Sequence, residues 1–254
     1  MLNNNKNTNQ IFSLKKLSII MPVYNGEDYI EGSLLKVIRF LNHEHIKGEI
    51  IVVDDGSKDS TYQVARRVAK KLSYPIKVVG YRNNMGKGHA FLRGFKESAG
   101  DIIALLDSDL DIPPEQIKIL LKIMERTNAD IVITNKWHPQ SQIHATKIRK
   151  LLSKAFNLLV RLLTGLNIKD TQTGAKTFKR QVLEDIFKYT FSKKYAFDVE
   201  LLLTAKIRGY KIAEAPSIKP IELTSKFKIK DIINMLLELL SITYRHRILG
   251  MGKT

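Results

Sequence analysis

Three aspartates at alternate positions follow an apolar run, and their spacing suggests metal chemistry. Asp107, Asp109 and Asp111 come after the run Ile102 to Leu106 and precede two prolines. Side chains at alternate positions of an extended chain point the same way, so we expect these carboxylates to converge. Carboxylates so close repel one another unless a cation neutralises them, and oxygen ligands favour Mg²⁺ or Mn²⁺. The alternative, acids that merely end a strand before a helix, needs one carboxylate rather than three.

Polar residues also follow two earlier apolar runs. Tyr24 and Glu27, in the stretch that begins Pro22-Val-Tyr-Asn-Gly-Glu, can face a planar base, although ordinary turn chemistry explains the same residues. Asp55 comes after the second run and is not needed to cap the next helix. We interpret it as a spare acceptor for the donor groups of a nucleobase or ribose.

A glycine-rich turn after the third run is a candidate phosphate site. Gly86-Lys87-Gly88 opens a predicted helix, where free backbone N–H groups suit phosphate oxygens. The turn is not a P-loop, because Gly80 is one residue too distant and Gly88 replaces the hydroxyl that would bind Mg²⁺. The sequence therefore argues against a Walker-type ATPase.

The elements that must position these residues alternate between strand and helix patterns. Short apolar runs predict strands at 17–23, 49–53, 76–80, 102–106 and 130–134, and helical spacing predicts helices at 29–41, 60–72, 88–98 and 114–126. This alternation predicts an α/β fold with a mostly parallel sheet. Ligands of such sheets bind beyond the carboxyl ends of the strands, which is where the unusual polar residues lie.

Composition limits the class of protein and its partners. The 254 residues are 44% hydrophobic, enough for a packed core, and contain no cysteine, which excludes disulfides and thiolate metal sites. Lys and Arg number 42 against 25 Asp and Glu, a formal charge of +17, so we expect attraction to phosphates, although solvated lysines without a partner remain an alternative. No stretch reaches the roughly 20 apolar residues of a bilayer span, and the first ten residues are too polar for a signal peptide.

Taken together in this order, the segments MPVYNGED, VVDDGSKDST, NNMGKG and DSDLD resemble family 2 glycosyltransferases of the GT-A fold. The later segments DTQTGAKTFKR and FDVELLLTAKIRGYKIAEAP look like the dolichyl-phosphate glucosyltransferase and mannosyltransferase branch. The resemblance covers nearly all of residues 17–228 and implies a Rossmann-like, mostly parallel sheet flanked by helices. We expect a disordered tail at 1–13, a GT-A domain at 14–227, and a C-terminal amphipathic helix and tail at 228–254.

The resemblance also implies roles for particular residues. The residues implied to bind the nucleotide-sugar donor are Pro22, Tyr24, Glu27, Asp55, Gly86, Lys87, Asp107, Ser108 and Asp109. Those implied to bind Mg²⁺ or Mn²⁺ are Asp107, Asp109 and Asp111. The residues implied to contact the sugar and the acceptor are Arg149, Ser153, Asp170, Gln172, Thr173, Gly174, Asp198, Ser225 and Lys226. The candidate catalytic residues are Asp107, Asp109, Asp198, Lys136 and Arg149.

One departure from the family pattern favours the glucosyl branch: Pro220 stands where mannosyl relatives carry an Arg, and Gly86-Lys87-Gly88 favours the same branch. Asp111 stands where mannosyl relatives often have Gln, which adds charge and leaves the preferred metal open. Lys136 stands where Arg is usual and cannot make a bidentate contact with phosphate.

A phosphate acceptor would remove the need for a catalytic base. A polyprenyl monophosphate, with a second pKa of about 6, is already anionic at neutral pH. Asp198 and Glu200 then become candidates for binding sugar hydroxyls, while the alternative for Asp198 is a cap on a predicted helix at 199–208.

Two amphipathic segments can meet a membrane surface. In 151–166 the residues Lys154, Asn157, Arg161 and Thr164 form one polar stripe, and 229–245 has the same design. With the positive charge of the chain, this pattern predicts peripheral contact with an anionic membrane. Burial of the apolar faces against the sheet, or in a homodimer, is the alternative.

The sequence therefore predicts an inverting glycosyltransferase on the cytoplasmic face of a membrane, moving a hexose, with UDP-glucose favoured, to dolichyl or polyprenyl phosphate. The alternatives are a GDP-mannose-dependent enzyme, transfer to a polysaccharide or protein hydroxyl, and a non-catalytic basic module that binds nucleotides or nucleic acid. Nucleic acid is not an expected partner, because the clustered acids repel phosphate unless a cation lies between them.

Overall fold

The computed structural model describes residues 16–252 except 142, 145–146, 195, 219–220 and 223–228. For residues 143–144, 147–149, 152, 221–222 and 229–233 it describes the backbone alone. The tail predicted at 1–13 and the side chain of Arg149 lie outside this description, as do Pro220, Ser225 and Lys226.

A seven-stranded sheet forms the centre of the molecule. Its strands are β1 (Leu17–Val23), β2 (Gly48–Asp54), β3 (Ile76–Gly80), β4 (Ile102–Leu106), β5 (Ile131–Asn135), β7 (Ala175–Lys179) and β8 (Ile212–Pro216), and β6 (Ile143–His144) pairs separately with β9 (Ile221–Glu222). The order is β3-β2-β1-β4-β7-β5-β8, and β7 is antiparallel to both neighbours whereas the other pairs are parallel. The predicted mostly parallel sheet is confirmed.

The strand register aligns the polar strand ends at one edge. Val23 at the end of β1 pairs with Asp54, which in turn pairs with Gly80 at the end of β3. These strands form because their residues are β-branched or otherwise apolar and can be buried on both faces, as in β4, where all five residues are buried. Residues that follow β1, β2 and β4 therefore lie close together.

Strand β7 was not predicted, because its sequence Ala-Lys-Thr-Phe-Lys does not form an apolar run. It nevertheless lies between β4 and β5, with Ala175 opposite Leu106 and Lys176 opposite Leu105. The pairing brings the turn before β7 next to Asp107.

Helices cover both faces of the sheet. They are α1 (Ile30–His43), α2 (Thr61–Lys71), α3 (Lys87–Glu97), α4 (Glu115–Thr127), α5 (Lys147–Thr164), α6 (Arg180–Ile186), α7 (Phe197–Ile207) and α8 (Ile229–Thr243), with a 3₁₀ turn at Phe187–Tyr189 and a π-helix at Tyr244–Ile248. Side chains of α1, α2 and α4 form the core on one face, and those of α3, α6 and α7 form the core on the other.

Helices α5 and α8 pack together, and each buries some of its apolar residues and exposes others. Val160, Val199 and Leu239 form a small shared core. Asn157 and Thr164 of the polar stripe of α5 are buried, whereas Leu151, Leu158, Leu162, Leu237 and Leu240 are exposed. The alternative that the apolar faces pack against the sheet is therefore wrong for these leucines. Within the described residues, no helix has both the length and the apolar content of a bilayer span.

Candidate active site

A cleft of about 430 Å³ opens at the carboxyl ends of β1, β2 and β4. It is lined by Pro22, Val23, Tyr24, Tyr29, Asp55, Asn84, Gly86, Lys87, Asp107, Ser108, Asp109 and Lys194, which we call the main cleft. Eight of these twelve residues were predicted to hold the donor. The other four are Val23, Tyr29, Asn84 and Lys194: Asn84 belongs to the glycine-rich segment already singled out, whereas Lys194 lies in a segment without any recognisable motif.

Lys87 and Asp107 form an ion pair in the main cleft, with Lys87 Nζ 2.6 Å from Asp107 Oδ1. Burial alone would lower the pKa of Lys87, but Asp107 and Asp198 together hold it above its usual value. Lys87 is therefore charged at neutral pH, and much of that charge already compensates Asp107.

Asp107 and Asp109 are the two carboxylates of the predicted metal motif that line the cleft. Loss of solvent around Asp109 and repulsion from Asp107 raise the pKa of Asp109 above its ordinary value. A pair of carboxylates in which Asp107 raises the pKa of Asp109 fits a divalent cation whose remaining ligands come from water or phosphate.

The predicted convergence of all three aspartates is wrong. The segment after β4 is a turn, in which Leu110 N–H donates to the Asp107 carbonyl at 3.2 Å and Leu110 has a left-handed φ of 56°. The rule for extended chains therefore fails here, and Asp111 does not line the main cleft. Among the described residues, no group of three His, Asp or Glu side chains is arranged to hold a metal ion.

Asp55 is buried and fully engaged, so the interpretation of a spare carboxylate is wrong. It accepts hydrogen bonds from Tyr81 Oη at 2.6 Å, Asn84 Nδ2 at 3.0 Å, Met85 N–H at 2.8 Å and Gly86 N–H at 2.9 Å. Through these hydrogen bonds Asp55 holds the glycine-rich turn in place. Any contact of Asp55 with a nucleotide would have to share these donors.

The glycine-rich turn offers fewer free N–H groups than the sequence suggested. The N–H groups of Met85 and Gly86 bond to Asp55, and that of Gly88 donates to the Lys193 carbonyl at 2.9 Å. For these three donors the prediction is wrong, because a carboxylate and a carbonyl of the chain already occupy them.

Glu27 does not line the main cleft. Its carboxylate accepts the Ser60 N–H at 2.7 Å, and its own N–H donates to Asp59 at 3.2 Å. Glu27 therefore ties the turn after β1 to the start of α2. The resemblance implied that Glu27 binds the donor. In the structure, the hydrogen bonds of Glu27 instead connect two segments of the chain.

The turn at residues 170–174 lies beside the carboxylate pair. Asp107 N–H donates to the Gly174 carbonyl at 2.9 Å, and a Cβ at Gly174 would lie 2.7 Å from Asp107 Oδ2. Asp170 is buried and accepts hydrogen bonds from Lys136 Nζ at 2.8 Å and Lys136 N–H at 3.0 Å. The predicted sugar-binding turn and the predicted metal motif are thus in direct contact.

Asp198 is held by a lysine that the sequence did not single out. Lys176 has no exposed surface, and its Nζ lies 2.8 Å from Asp198 Oδ1 and 2.6 Å from the Thr173 carbonyl. Burial alone would raise the pKa of Asp198, but Lys176, Lys87 and Lys136 hold it below its ordinary value. Asp198 lies inside α7 and does not cap it, so the capping alternative is wrong.

Glu200 lies two residues beyond Asp198 in α7, and its partners differ from those of Asp198. It is fully buried and accepts hydrogen bonds from the Phe191 and Ser192 N–H groups, Arg245 and His246. The interpretation of Glu200 as a sugar ligand is therefore wrong, because all of its contacts are structural.

The remaining predicted acceptor residues are only partly described. Ser153 is partly exposed on α5, next to Lys154, whose Nζ lies 5.3 Å from the centre of the Trp137 ring. Gln172 is half-buried, with Nε2 3.3 Å from Met235 Sδ. For Arg149, Ser225 and Lys226 the acceptor role stays a prediction.

Comparison with known proteins supports the resemblance that the sequence motifs suggested. The profile of the family described as Glycosyl transferase family 2 matches residues 18–187. The chain is 32% identical over 247 residues to Dolichyl-phosphate beta-glucosyltransferase ALG5D of Trichomonas vaginalis, covering 91% of this chain and 74% of that protein. It is also 32% identical over 250 residues to Dolichyl-phosphate beta-glucosyltransferase of Dictyostelium discoideum, covering 93% and 76%.

A solved structure confirms the predicted GT-A fold. Glucosyl-3-phosphoglycerate synthase from Mycobacterium tuberculosis, in complex with Mn²⁺, uridine-diphosphate and phosphoglyceric acid, superposes with a TM-score of 0.68 at 20% identity. The match covers 92% of this chain and 81% of that one.

Proposed function

The chain belongs to glycosyl transferase family 2 and is a glycosyltransferase, and we propose that it transfers glucose from UDP-glucose to dolichyl phosphate. Two relatives that match more than nine-tenths of the chain are named as dolichyl-phosphate beta-glucosyltransferases. The product would be a lipid-linked sugar for glycan assembly.

The observation that carries the proposal is that Asp107 and Asp109 both line the main cleft and that Asp107 contacts the turn at 170–174. A leaving diphosphate gains negative charge as its bond to the sugar breaks, so it needs cations at its oxygens. Asp107 and Asp109 would hold Mg²⁺ or Mn²⁺, which when bound neutralises that diphosphate. Lys87, in its ion pair with Asp107, holds that carboxylate in position for this task.

The transfer is a direct displacement at the anomeric carbon of the sugar. An oxygen of the acceptor phosphate forms the new bond to C1, the bond from C1 to the diphosphate breaks, and the diphosphate leaves with the electron pair. No proton is transferred, because the attacking oxygen is already anionic near neutral pH, with a second phosphate pKa of about 6. Attack opposite the leaving group inverts the configuration at C1.

The state of Asp198 disfavours transfer to a hydroxyl. Such a reaction needs a general base whose pKa lies near the working pH. Asp198 is instead paired with Lys176, and its pKa is held low. We therefore assign Asp198 and Asp170 to binding sugar hydroxyls.

The acceptor phosphate would be met by basic residues on the side of α5. The described members of this set are Lys136, whose Nζ lies 2.8 Å from Asp170 Oδ1, and Ser153 on α5. Arg149, Ser225 and Lys226 complete the proposed set by resemblance.

The acceptor lipid would enter from a membrane on which α5 and α8 lie. Both helices expose leucines, while some of their polar residues contact the protein, as for Glu238, which accepts the Ala196 N–H at 2.8 Å. Exposed leucines on two helices of a protein of charge +17 fit an anionic bilayer. We propose peripheral attachment at the cytoplasmic face of the membrane. Pairing of two copies through the same face is the alternative.

Product formation with a panel of donors tests the proposal. The purified chain is incubated with dolichyl phosphate and either UDP-glucose or GDP-mannose, with Mg²⁺, Mn²⁺ or chelator, and lipid products are identified by mass spectrometry. We expect dolichyl phosphate glucose from UDP-glucose, lost with chelator and in Asp109→Asn but retained in Asp111→Asn. A mannosylated product would move the chain to the mannosyl branch, and the absence of any lipid-linked sugar would refute the proposal.

A further inference from the structure

Carboxylates outnumber lysines among the side chains that line the main cleft. The lining contains the carboxylates Asp55, Asp107 and Asp109 but only two lysines, Lys87 and Lys194. Lys87 Nζ is already 2.6 Å from Asp107 Oδ1. A diphosphate adds further negative charge to this lining, so it needs a cationic contact besides Lys87.

Several backbone donors of the glycine-rich turn are already occupied, and a neutral N–H group is in any case no cation. The N–H groups of Met85 and Gly86 are bonded to Asp55, at 2.8 and 2.9 Å. The N–H of Gly88 is bonded to the Lys193 carbonyl at 2.9 Å. Three donors that would otherwise point at an anion are therefore occupied by oxygen atoms of the chain itself.

Lys194 lies directly against this turn. A Cβ at Gly86 would lie 2.7 Å from Lys194 Cγ and would collide with the Lys193 carbonyl oxygen. The Lys194 side chain is exposed and makes no hydrogen bond or ion pair with any described residue. Its ammonium group is therefore available to a ligand in the cleft.

The backbone that carries Lys194 is anchored on both sides. Glu200 accepts the N–H groups of Phe191 and Ser192 at 2.9 and 2.5 Å, and Glu238 accepts the Ala196 N–H at 2.8 Å. A fixed backbone with a mobile lysine side chain can bring a cation to a bound anion without rearranging the fold.

We propose that Lys194 binds the diphosphate of the nucleotide-sugar donor and stays with it as it leaves. The inference deepens the proposed function and rests on it. It assigns a ligand to a residue outside the DSDLD and glycine-rich motifs, and it makes the segment at 191–194 a wall of the donor site.

Titration calorimetry on Lys194→Ala, Lys194→Arg and Lys193→Ala tests the assignment, with UDP and with uridine in the presence of Mg²⁺. Lys193→Ala is the matched control, because it removes the same charge from the same segment while the Lys193 contact to the turn comes from its backbone. Loss of a charge-assisted hydrogen bond predicts about tenfold weaker binding of UDP by Lys194→Ala. Uridine binding should not change, Lys194→Arg should bind UDP within about threefold of wild type because it keeps the charge, and Lys193→Ala should match wild type.

The pattern of outcomes separates this inference from the proposed function. Equal loss of UDP affinity in Lys194→Ala and Lys193→Ala, or equal loss of uridine affinity, would overturn the Lys194 assignment, because a general charge effect or a folding defect would then suffice. If the wild-type chain forms the glucolipid and Lys194→Ala binds UDP normally, the assignment alone fails. If wild type forms no lipid-linked product with either donor, the proposed function fails.

Discussion

Lys176 Nζ lies 2.8 Å from Asp198 Oδ1 in a pair whose lysine has no exposed surface. A buried ammonium group is normally unfavourable, and here it is compensated by Asp198 and by the Thr173 carbonyl. The pair joins the central strand β7 to the first turn of α7. It therefore holds the proposed sugar-binding residues in place and keeps Asp198 ionised.

Removal of one partner should destabilise the protein strongly. We expect Lys176→Met to lower the free energy of unfolding by about 3 kcal/mol or more, because Asp198 loses its main partner in a buried site. Lys179→Met is the control, since Lys179 lies on the same strand at the same 2.8 Å from Asp130 but both side chains are partly exposed. Its loss should stay below about 1 kcal/mol. Equal losses in urea denaturation would contradict this view of the buried pair.

Glu200 should make stability depend on pH in the acid range. Burial alone would raise its pKa, but hydrogen bonds from His246, the Ser192 N–H and Arg245 lower it from 4.5 to about 2. The folded state therefore gains stability that is complete above the unfolded pKa near 4.5 and is lost as the pH falls from there to about 2. The shift corresponds to about 3 kcal/mol.

Unfolding curves of Glu200→Gln across this pH range measure the effect. The variant should be less stable at pH 7 and should show a flatter dependence on pH in the acid range. Glu184→Gln, which removes an exposed carboxyl 3.9 Å from Arg180, should behave like wild type. If Glu200→Gln kept the wild-type slope, another group would be responsible for the acid dependence.

Gly86 and Gly32 should respond to alanine in opposite ways. Gly86 has a φ of 97°, and an added Cβ would meet the Lys193 carbonyl oxygen, so Gly86→Ala should destabilise by more than about 1 kcal/mol. Gly32 lies in α1 with no atom near its added Cβ, so Gly32→Ala should stabilise by about 0.5–1 kcal/mol. Thermal unfolding distinguishes the two signs. If Gly86→Ala left the stability unchanged, the 191–194 segment would have to move away readily from the added Cβ.

The exposed leucines of α5 and α8 should govern attachment to vesicles. Replacing Leu158 and Leu162, or Leu237 and Leu240, by Glu should reduce the partition coefficient on anionic vesicles by about tenfold or more, because each buried leucine contributes roughly 1.5–3 kcal/mol. Leu35→Glu, at an exposed leucine of α1, is the control. Sedimentation with phosphatidylserine vesicles measures binding. Unchanged sedimentation, with a shift from dimer to monomer in ultracentrifugation, would instead identify this face as a contact between two copies.

The sequence was sufficient for the elements whose signals are local. The apolar runs of β1 to β5 and the helical spacing of α1 to α4 are properties of neighbouring residues, and they gave the sheet and the edge at which the cleft opens. Strand β7 was missed because its second residue, Lys176, interrupts the apolar pattern and is neutralised by Asp198, a partner 22 residues away. No local pattern can reveal such a pairing.

The details of the site depended on tertiary contacts for the same reason. Asp111 turns away because Leu110 adopts a left-handed conformation, and Asp55 is engaged because the Gly86 turn folds over it. Lys194 reaches the main cleft through a segment fixed by Glu200 and Glu238. Sequence motifs thus identified most of the residues that line the cleft. The hydrogen-bond partners of these residues, and the presence of Lys194 in the lining, could be found only from the folded structure.

The most direct test of the account compares dolichyl phosphate with dolichol as acceptors for UDP-glucose. Because Asp198 is held in its ionised, paired state, only an acceptor that is already anionic should react. We predict glucose transfer to dolichyl phosphate with Mg²⁺ and no measurable transfer to dolichol. Efficient transfer to dolichol, or none to dolichyl phosphate, would contradict the account.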